Sequence, residues 1–553
     1  MRVLILLLTL LLAGQSVARP AAVASAHPLA TEAGFDILDQ GGNAFDAAIA
    51  VAAALAVVEP SGSGMGGGGF WLLHRERDGH RTMVDARETA PGLADRDMYL
   101  DRDGAVNRDW AINGPMAAAI PGQAAAFAHI AEAYGSLPLA TSLAPAIRLA
   151  EEGFPVDERY RRLASFREDT LRSFPETRRI FLAHGSIPRA GDTLVQPELA
   201  WVLRQIAEHG RDGFYKGEVA EKLVQGVQEY GGIWTLEDLA GYRVVEREPV
   251  TGTFRGATIT AASLPSSGGI VMIQALNILS RFNGGDLEPS VAPHLIVEAM
   301  RRAYRDRAEF MGDPDFVDVP VEQLLSASHA AAQSASIRLD QPTPSERLGE
   351  LMEQPSGPNT SHFSILDSEG NRVATTLSIN LPFGSGFVPP GTGVLLNNEM
   401  DDFSAKPGEP NAYGLVGSEA NSIAPGKRPL SSMTPTFLDW GDHGAILGTP
   451  GGSRIISMVM LAVMDALNGH DIEYWVSRPR FHHQYLPDVV EAEPDFVGGE
   501  DARRLIIRGH EIKSTGRRYG NMQAVYVNRR SGNVEAASDP RGIGEARVRK
   551  PGE

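Results

Sequence analysis

A threonine that heads a strand can do chemistry that the same residue inside a strand cannot. Here Asn359-Thr360-Ser-His-Phe-Ser364 leads from a polar segment into a run of alternating residues. If the chain is cut before Thr360, the new α-amine has a reference pKa of about 7.7–8.0. That amine is a general base near neutral pH, carried by the residue that holds the hydroxyl nucleophile. A threonine opening a strand is most often only a strand former, so other residues must support the reading. A turn centred on Glu369-Gly370 predicts a hairpin in which Ser368 faces Asn371. Thr360 then faces Ile379, flanked by Ser378 and Asn380, whose polar side chains share one face.

Composition narrows the rival chemistries. The 553 residues include no cysteine, which removes thiolate nucleophiles, disulfides and sulfur-ligated metals. A formal charge of −18 argues against a nucleic-acid partner, because phosphates need a basic surface. Gly62-x-Gly64-x-x-Gly67 spells a dinucleotide loop, but a predicted helix precedes it and a strand follows, the reverse of that motif. Tight backbone packing is its expected role. His482 and His483 are adjacent, so on a strand they point to opposite faces and do not share one ion. They are expected to serve as hydrogen-bonding groups, with no metal and no organic cofactor.

The elements that must hold Thr360 follow from periodicity. Residues 29–60 read as two helices, the first stopped at Gly41-Gly42 and the second capped by Asn43, with Asp46 in a capping-box place. The apolar run over 47–58 is too short for a membrane span, which takes about 20 residues. A strand follows over 70–74. Residues 115–250 are mostly helical by pattern, and 266–311 open on Ser-Ser-Gly-Gly before long helical runs. Residues 326–359, rich in Ala, Ser, Gln, Pro and Glu, read as a mobile linker. Short strands then alternate, with a helix over 455–467. Strands between helical layers predict an α/β or α+β layered fold. At the other end, Arg2, an apolar run over 3–13 and Ser16-Val-Ala18 read as an export signal spanning 1–18. A periplasmic or secreted protein is expected, with no membrane span once that signal is removed.

Several blocks carry a resemblance. They are His27-Pro-Leu-Ala-Thr-Glu-Ala-Gly34, Gly41-Gly-Asn-Ala-Phe-Asp-Ala-Ala48, Asp85-Ala-Arg-Glu-Thr-Ala-Pro91 and Pro265-Ser-Ser-Gly-Gly269. Further along come Thr360-Ser-His-Phe-Ser364, Asn397-Asn-Glu-Met-Asp-Asp-Phe403, Lys427-Arg-Pro-Leu-Ser-Ser-Met433, Pro450-Gly-Gly-Ser-Arg454 and Ser538-Asp-Pro-Arg541. From almost the mature N-terminus to Gly542 the chain resembles the γ-glutamyltransferases, also called γ-glutamyl transpeptidases, which are N-terminal-nucleophile hydrolases. The resemblance implies an α+β fold, a four-layer αββα sandwich built jointly by two autoprocessed fragments, 19–359 and 360–553, associated as a heterodimer.

The resemblance also implies roles. Thr360 cuts the bond after Asn359 and becomes the nucleophile; Ser361 stands where the family usually has a second threonine. Ser378 stands where a threonine commonly hydrogen-bonds the nucleophile's amine. Gly451 and Gly452 match the oxyanion-hole N–H pair. Arg87 matches the clamp for the substrate α-carboxylate, with Ser431 and Ser432 adding hydroxyls. Asn380, Glu399 and Asp402 receive the α-ammonium, and Tyr413 gates a covering loop over 406–413. The implied substrates are glutathione and other γ-glutamyl compounds, with water, amino acids or dipeptides as acceptors. Two rivals remain. A cephalosporin or glutaryl acylase of the same superfamily would leave Glu399 and Asp402 without a purpose. An unprocessed periplasmic γ-glutamyl-peptide binding protein would stay one uncut, inactive chain.

Overall fold

A computed structural model of the protein describes residues 19–348 and 360–550; the expected signal over 1–18 and Asn359 lie outside them. In chain order the principal strands are β1 (Ala21–Ser25), β2 (Gly68–Arg75), β3 (His80–Ala86), β4 (Val245–Arg247), β5 (Val250–Phe254), β6 (Ala257–Ala261), β7 (Ser361–Leu366), β8 (Arg372–Ser378), β9 (Thr436–Trp440), β10 (His443–Gly448), β11 (Gln523–Asn528), β12 (Asn533–Ser538) and β13 (Glu545–Arg549). They make two antiparallel sheets, ordered β13-β1-β7-β8-β2-β3-β4 and β12-β11-β10-β9-β6-β5. Each sheet draws strands from both sides of Thr360. The β7–β8 hairpin lies between β1 and β2, so Thr360 enters the middle of the first sheet.

Alternation along the strands sorts the core into two layers. Val23, Trp71, Leu73, Phe363 and Ile365 pack under helices α1 (Pro28–Asp39) and α2 (Ala44–Val58). Ala22, Ala24, Phe70, Leu72 and Leu366 turn the other way, toward the second sheet. That sheet is covered in turn by α3 (Gly268–Leu279), α4 (Ala292–Phe310) and α5 (Ile455–Leu467). Helix, sheet, sheet, helix is the layering that the family resemblance implies. Every residue of α2 is buried, as an all-round apolar helix must be. Its N-terminus carries the expected capping box: the Asn43 side chain accepts from the Phe45 and Asp46 amides, and Asp46 accepts from the Asn43 amide at 3.0 Å.

The glycine-rich stretch lets backbones touch. A Cβ on Gly67 would lie 2.1 Å from the Ser378 carbonyl oxygen, and one on Gly66 2.2 Å from that of Leu395. No larger residue fits, and the end of β8 is therefore clamped against the 66–69 segment.

Two expectations need correction. The hairpin register is shifted by one: Leu366 pairs with Arg372 and Ser361 with Leu377, which brings Ser378, not Ile379, opposite Thr360. The loop is longer than a two-residue turn because the Asp367 carboxylate accepts from the amides of Glu369, Gly370 and Asn371 at 2.9–3.0 Å. Gly370 supplies the positive φ of 98° that this loop demands.

The second concerns residues 326–348 of the expected linker; its remainder, 349–359, lies outside the described residues. Residues Ala327–Ala335 form a helix whose N-cap is Ser326, and the chain beyond it is tied to buried charges. The Glu298 carboxylate, fully buried, accepts from Thr343 N (3.0 Å) and Thr343 Oγ1 (2.6 Å) while pairing with Arg302 at 2.7 Å and Arg301 at 3.2 Å. Ser345 donates from its hydroxyl to the Tyr485 carbonyl and from its amide to Asp488, both at 2.7 Å. Composition alone missed this, because the anchors come from distant elements. Removing Glu298 strands the buried Arg302 guanidinium, while Arg301 keeps its pair with Asp488, so Glu298→Ala is expected to lower stability by about 3–5 kcal/mol. Urea denaturation checks this; an unchanged midpoint would contradict the anchoring.

Candidate active site

Thr360 is 3% exposed and its Oγ1 lies 3.3 Å from Oγ of Ser378 across the hairpin. Ser378 Oγ also accepts from the Asn380 amide at 2.8 Å. Asn380 itself holds a left-handed φ of 70°, an unusual conformation for a non-glycine residue at the end of a strand. On the next residue, the Ser361 hydroxyl donates to Glu59 at 2.6 Å, and Glu59 pairs with Arg159 at 3.1 Å. His362 is buried between Thr376 (2.8 Å) and Ser364 (3.2 Å). Burial lowers its pKa to about 3, so it stays neutral and packs rather than titrates.

A small cavity collects most of the predicted site. Thr360, Ser378, Asn380, Glu399, Asp402 and Tyr413 line it, together with Ser431, Ser432 and Gly452. Its free volume is about 20 Å³, room for a single water. Ser431 and Ser432 are fixed by the Pro265-Ser-Ser-Gly-Gly269 segment: the Ser267 hydroxyl and amide both donate to the Ser431 carbonyl, at 2.7 and 2.9 Å.

Arg87 is not on that wall. It is fully buried behind the acids, donating to Glu399 at 2.6 Å, to Asp402 at 2.5 Å and, through Nε, to the Pro429 carbonyl at 3.1 Å. Burial alone would lower its pKa, but Glu399, Asp402 and Glu88 more than compensate and raise it. Glu399 is pushed well above the usual carboxylate range by burial, against the pull of Arg87. Its Oε1 is buried without a hydrogen-bond partner among the described residues.

The guanidinium that does line the cavity is Arg307, which sequence reasoning did not single out. It is 4% exposed, donates to Ser267 Oγ at 2.9 Å and Ser432 Oγ at 3.3 Å, and has no carboxylate in ion-pairing range among the described residues. Burial lowers its pKa to about 10, which still leaves it cationic. A signal existed: Ile296, Met300 and Ala303 mark the buried stripe of α4, and Arg307 is the next residue on that stripe.

Gly451 (φ 150°) and Gly452 (φ 58°) form the turn into α5. Neither amide has a hydrogen-bond partner among the described residues. Gly451 lines a neighbouring cavity and Gly452 the small one, where a Cβ on Gly452 would meet the Tyr413 ring at 2.4 Å. Tyr413 closes the site by donating its hydroxyl to the Asn380 carbonyl at 2.8 Å. Its loop is tied down where Asn411 donates to Asp402 (3.1 Å) and the Ala412 amide to Asp401 (3.0 Å). His482 and His483 take separate partners, Ser457 at 2.9 Å and Asp488 at 3.2 Å.

Two facing sheets between helical layers, with a buried threonine heading a central strand, define an N-terminal-nucleophile hydrolase. Residues 30–548 match the family model described as Gamma-glutamyltranspeptidase, and the chain belongs to that family. It is 41% identical over 533 residues to the glutathione hydrolase proenzyme of Escherichia coli K12, covering 95% of this chain and 91% of that one. The corresponding protein of Pseudomonas aeruginosa is 39% identical, covering 96% and 95%. Among solved structures, a cephalosporin acylase from Bacillus halodurans superposes with a TM-score of 0.84 at 31% identity, covering 96% of both chains. The γ-glutamyltranspeptidase of Helicobacter pylori superposes with a TM-score of 0.57 at 39% identity, covering 60% of this chain and 96% of that one.

Proposed function

We propose that the protein is an autoprocessing γ-glutamyltransferase and glutathione hydrolase. After the cut, the Thr360 hydroxyl attacks the γ-amide carbonyl while its own α-amine takes the proton. The Gly451 and Gly452 amides stabilise the oxyanion. The protonated amine returns its proton to the leaving peptide, and a γ-glutamyl ester remains on Thr360. Water then releases glutamate, or an acceptor amine takes the group. No metal or organic cofactor is required by these steps.

The observation that carries the reading is the charge pattern of the cavity. Arg307, Ser431 and Ser432 offer donors for an α-carboxylate. Glu399, with one carboxylate oxygen unsatisfied, Asp402 and Asn380 offer acceptors for an α-ammonium. Arg87, predicted as the carboxylate clamp, sits behind those acids and holds them in place. A γ-glutamyl group has both charges at the end remote from its scissile bond. Because the free volume is so small, the Tyr413 loop must lift before a substrate enters.

The acylase likeness favours a second reading, hydrolysis of a glutaryl side chain, which lacks the ammonium. Turnover of γ-glutamyl and glutaryl anilides separates them, and a preference for glutaryl would sink the substrate assignment. Arg307→Ala is expected to cut kcat/KM for γ-glutamyl anilide about 30-fold or more, as loss of one partner of a buried charge pair does. Arg307→Lys should recover part of it; an unchanged kcat/KM would remove Arg307 from the site. Export to the periplasm or beyond, through the 1–18 signal, belongs to the same reading. N-terminal sequencing of the secreted protein tests it. A retained Met1 in the exported form would contradict the signal assignment.

A further inference from the structure

A second cavity, about 420 Å³, lies on the other side of the turn that carries the two glycines: Pro450 and Gly451 line it, whereas Gly452 lines the first. In a chain with a net charge of −18, its wall gathers five arginines, Arg159, Arg162, Arg517, Arg518 and Arg541. Three are neutralised. Arg159 pairs with Glu59 at 3.1 Å, Arg518 with Asp495 at 2.5 Å, and Arg541 with Glu493 at 2.6 Å. Arg162 and Arg517 have no carboxylate in ion-pairing range among the described residues. Partial burial, then the nearby charges of Arg454 and Arg162, lower the pKa of Arg517, as an uncompensated cation cluster must. The same wall carries Tyr519, whose buried hydroxyl has no hydrogen-bond partner among the described residues. Burial raises its pKa, so it remains an O–H donor.

Two unpaired guanidiniums and an unused hydroxyl donor are a carboxylate site waiting for its anion. Resting on the γ-glutamyltransferase reading, we infer that this cavity binds the terminal carboxylate of the peptide leaving from the γ-glutamyl group, and of the amino acid or dipeptide that accepts it. The geometry suits the chemistry. The acyl carbon would sit at the Gly451–Gly452 turn, with the γ-glutamyl group on one side and the amine partner on the other. In a dipeptide the carboxylate lies two residues from the scissile nitrogen, about 7 Å in extended form. Leaving group and acceptor share this chemistry, and the assay distinguishes them.

The test uses the processed enzyme and the variants Arg162→Gln, Arg517→Gln and the double. Both side chains are exposed, so folding is not at stake. Four constants are compared: KM for glutathione hydrolysis, KM for γ-glutamyl-p-nitroanilide hydrolysis, and KM for glycylglycine and for glycylglycinamide as acceptors. In the double variant KM for glutathione and for glycylglycine should rise about tenfold or more, the loss of one charge-assisted contact. KM for the anilide, whose leaving group has no carboxylate, and for the amide acceptor should stay within about twofold. A rise for glutathione alone would confine the site to the leaving group, and one for glycylglycine alone to the acceptor. Equal changes for carboxylate and non-carboxylate partners, or none, would overturn the inference. Failure of the wild-type enzyme to turn over any γ-glutamyl compound would instead overturn the parent reading, and this one with it.

Discussion

Thr360→Ala is expected to leave one uncut chain with no measurable turnover. The variant removes one hydroxyl and one methyl from a buried strand end, and the hydroxyl it deletes lies 3.3 Å from that of Ser378. The cost to folding is therefore small, and a folded but inert protein is the outcome to look for. Two functions fail together, because the same oxygen must attack the preceding peptide bond and later the substrate amide. Losing the nucleophile should lower activity by at least about 10³-fold, into the range of residual catalysis from binding and oxyanion contacts. Thr360→Ser keeps the hydroxyl and should retain both processing and turnover at reduced rate. Mass spectrometry of purified protein reads the first function, as a fragment beginning at residue 360, and anilide release reads the second. Normal activity in Thr360→Ala would refute the mechanism, and a fragment starting at residue 360 in that variant would refute self-cleavage.

The sequence makes the parts of this site legible to different degrees, for physical reasons. The helices around Asn43 and the strand after Gly69 follow local rules, since caps and periodicity are written in neighbouring residues. The run from 455 to 467 is read as a helix at the residues where α5 begins and ends. The hairpin register was not legible, because it depends on how many amides the Asp367 carboxylate gathers. A shift of one residue matters there, since it decides which side chain faces Thr360. The segment after residue 326 looks like a linker by composition, yet Glu298 and Asp488 hold it from elsewhere in the chain. Arg307 hides for a similar reason: within Arg301-Arg-Ala-Tyr-Arg-Asp-Arg307 it reads as one more surface charge until α4 is packed against the second sheet. Arg87 is the converse case. Its place in the pattern suggests a ligand for substrate, and the fold surrounds it with acids.

That surrounding makes Arg87→Ala the second large effect. The wild-type guanidinium is fully buried among Glu399 (2.6 Å), Asp402 (2.5 Å) and Glu88 (3.6 Å). Its own backbone is fixed as well, with the amide donating to Asp85 at 2.9 Å and the carbonyl accepting from the Tyr242 hydroxyl at 2.8 Å. Alanine keeps those backbone contacts but leaves three carboxylates facing one another without a cation at their centre. Breaking a buried pair from one side costs about 3–5 kcal/mol, and kcat/KM for γ-glutamyl anilide should fall about 10³-fold as the ammonium acceptors disperse or protonate. Arg87→Lys restores charge but not the two-pronged geometry, so it should fall between. The pH dependence distinguishes charge from packing. Burial already raises the carboxyl of Glu399 well above its usual range and that of Glu88 to about 7; without Arg87 both rise further. A further rise in folded pKa costs stability relative to the wild type only where the acid is ionised in the wild-type fold, so the deficit opens as pH rises through the wild-type values, about 7 for Glu88. The stability deficit of Arg87→Ala, measured by urea denaturation, should therefore be smaller at pH 5 than at pH 8. An equal deficit at both would mean that the guanidinium acts by filling space, and the electrostatic account of this site would fall.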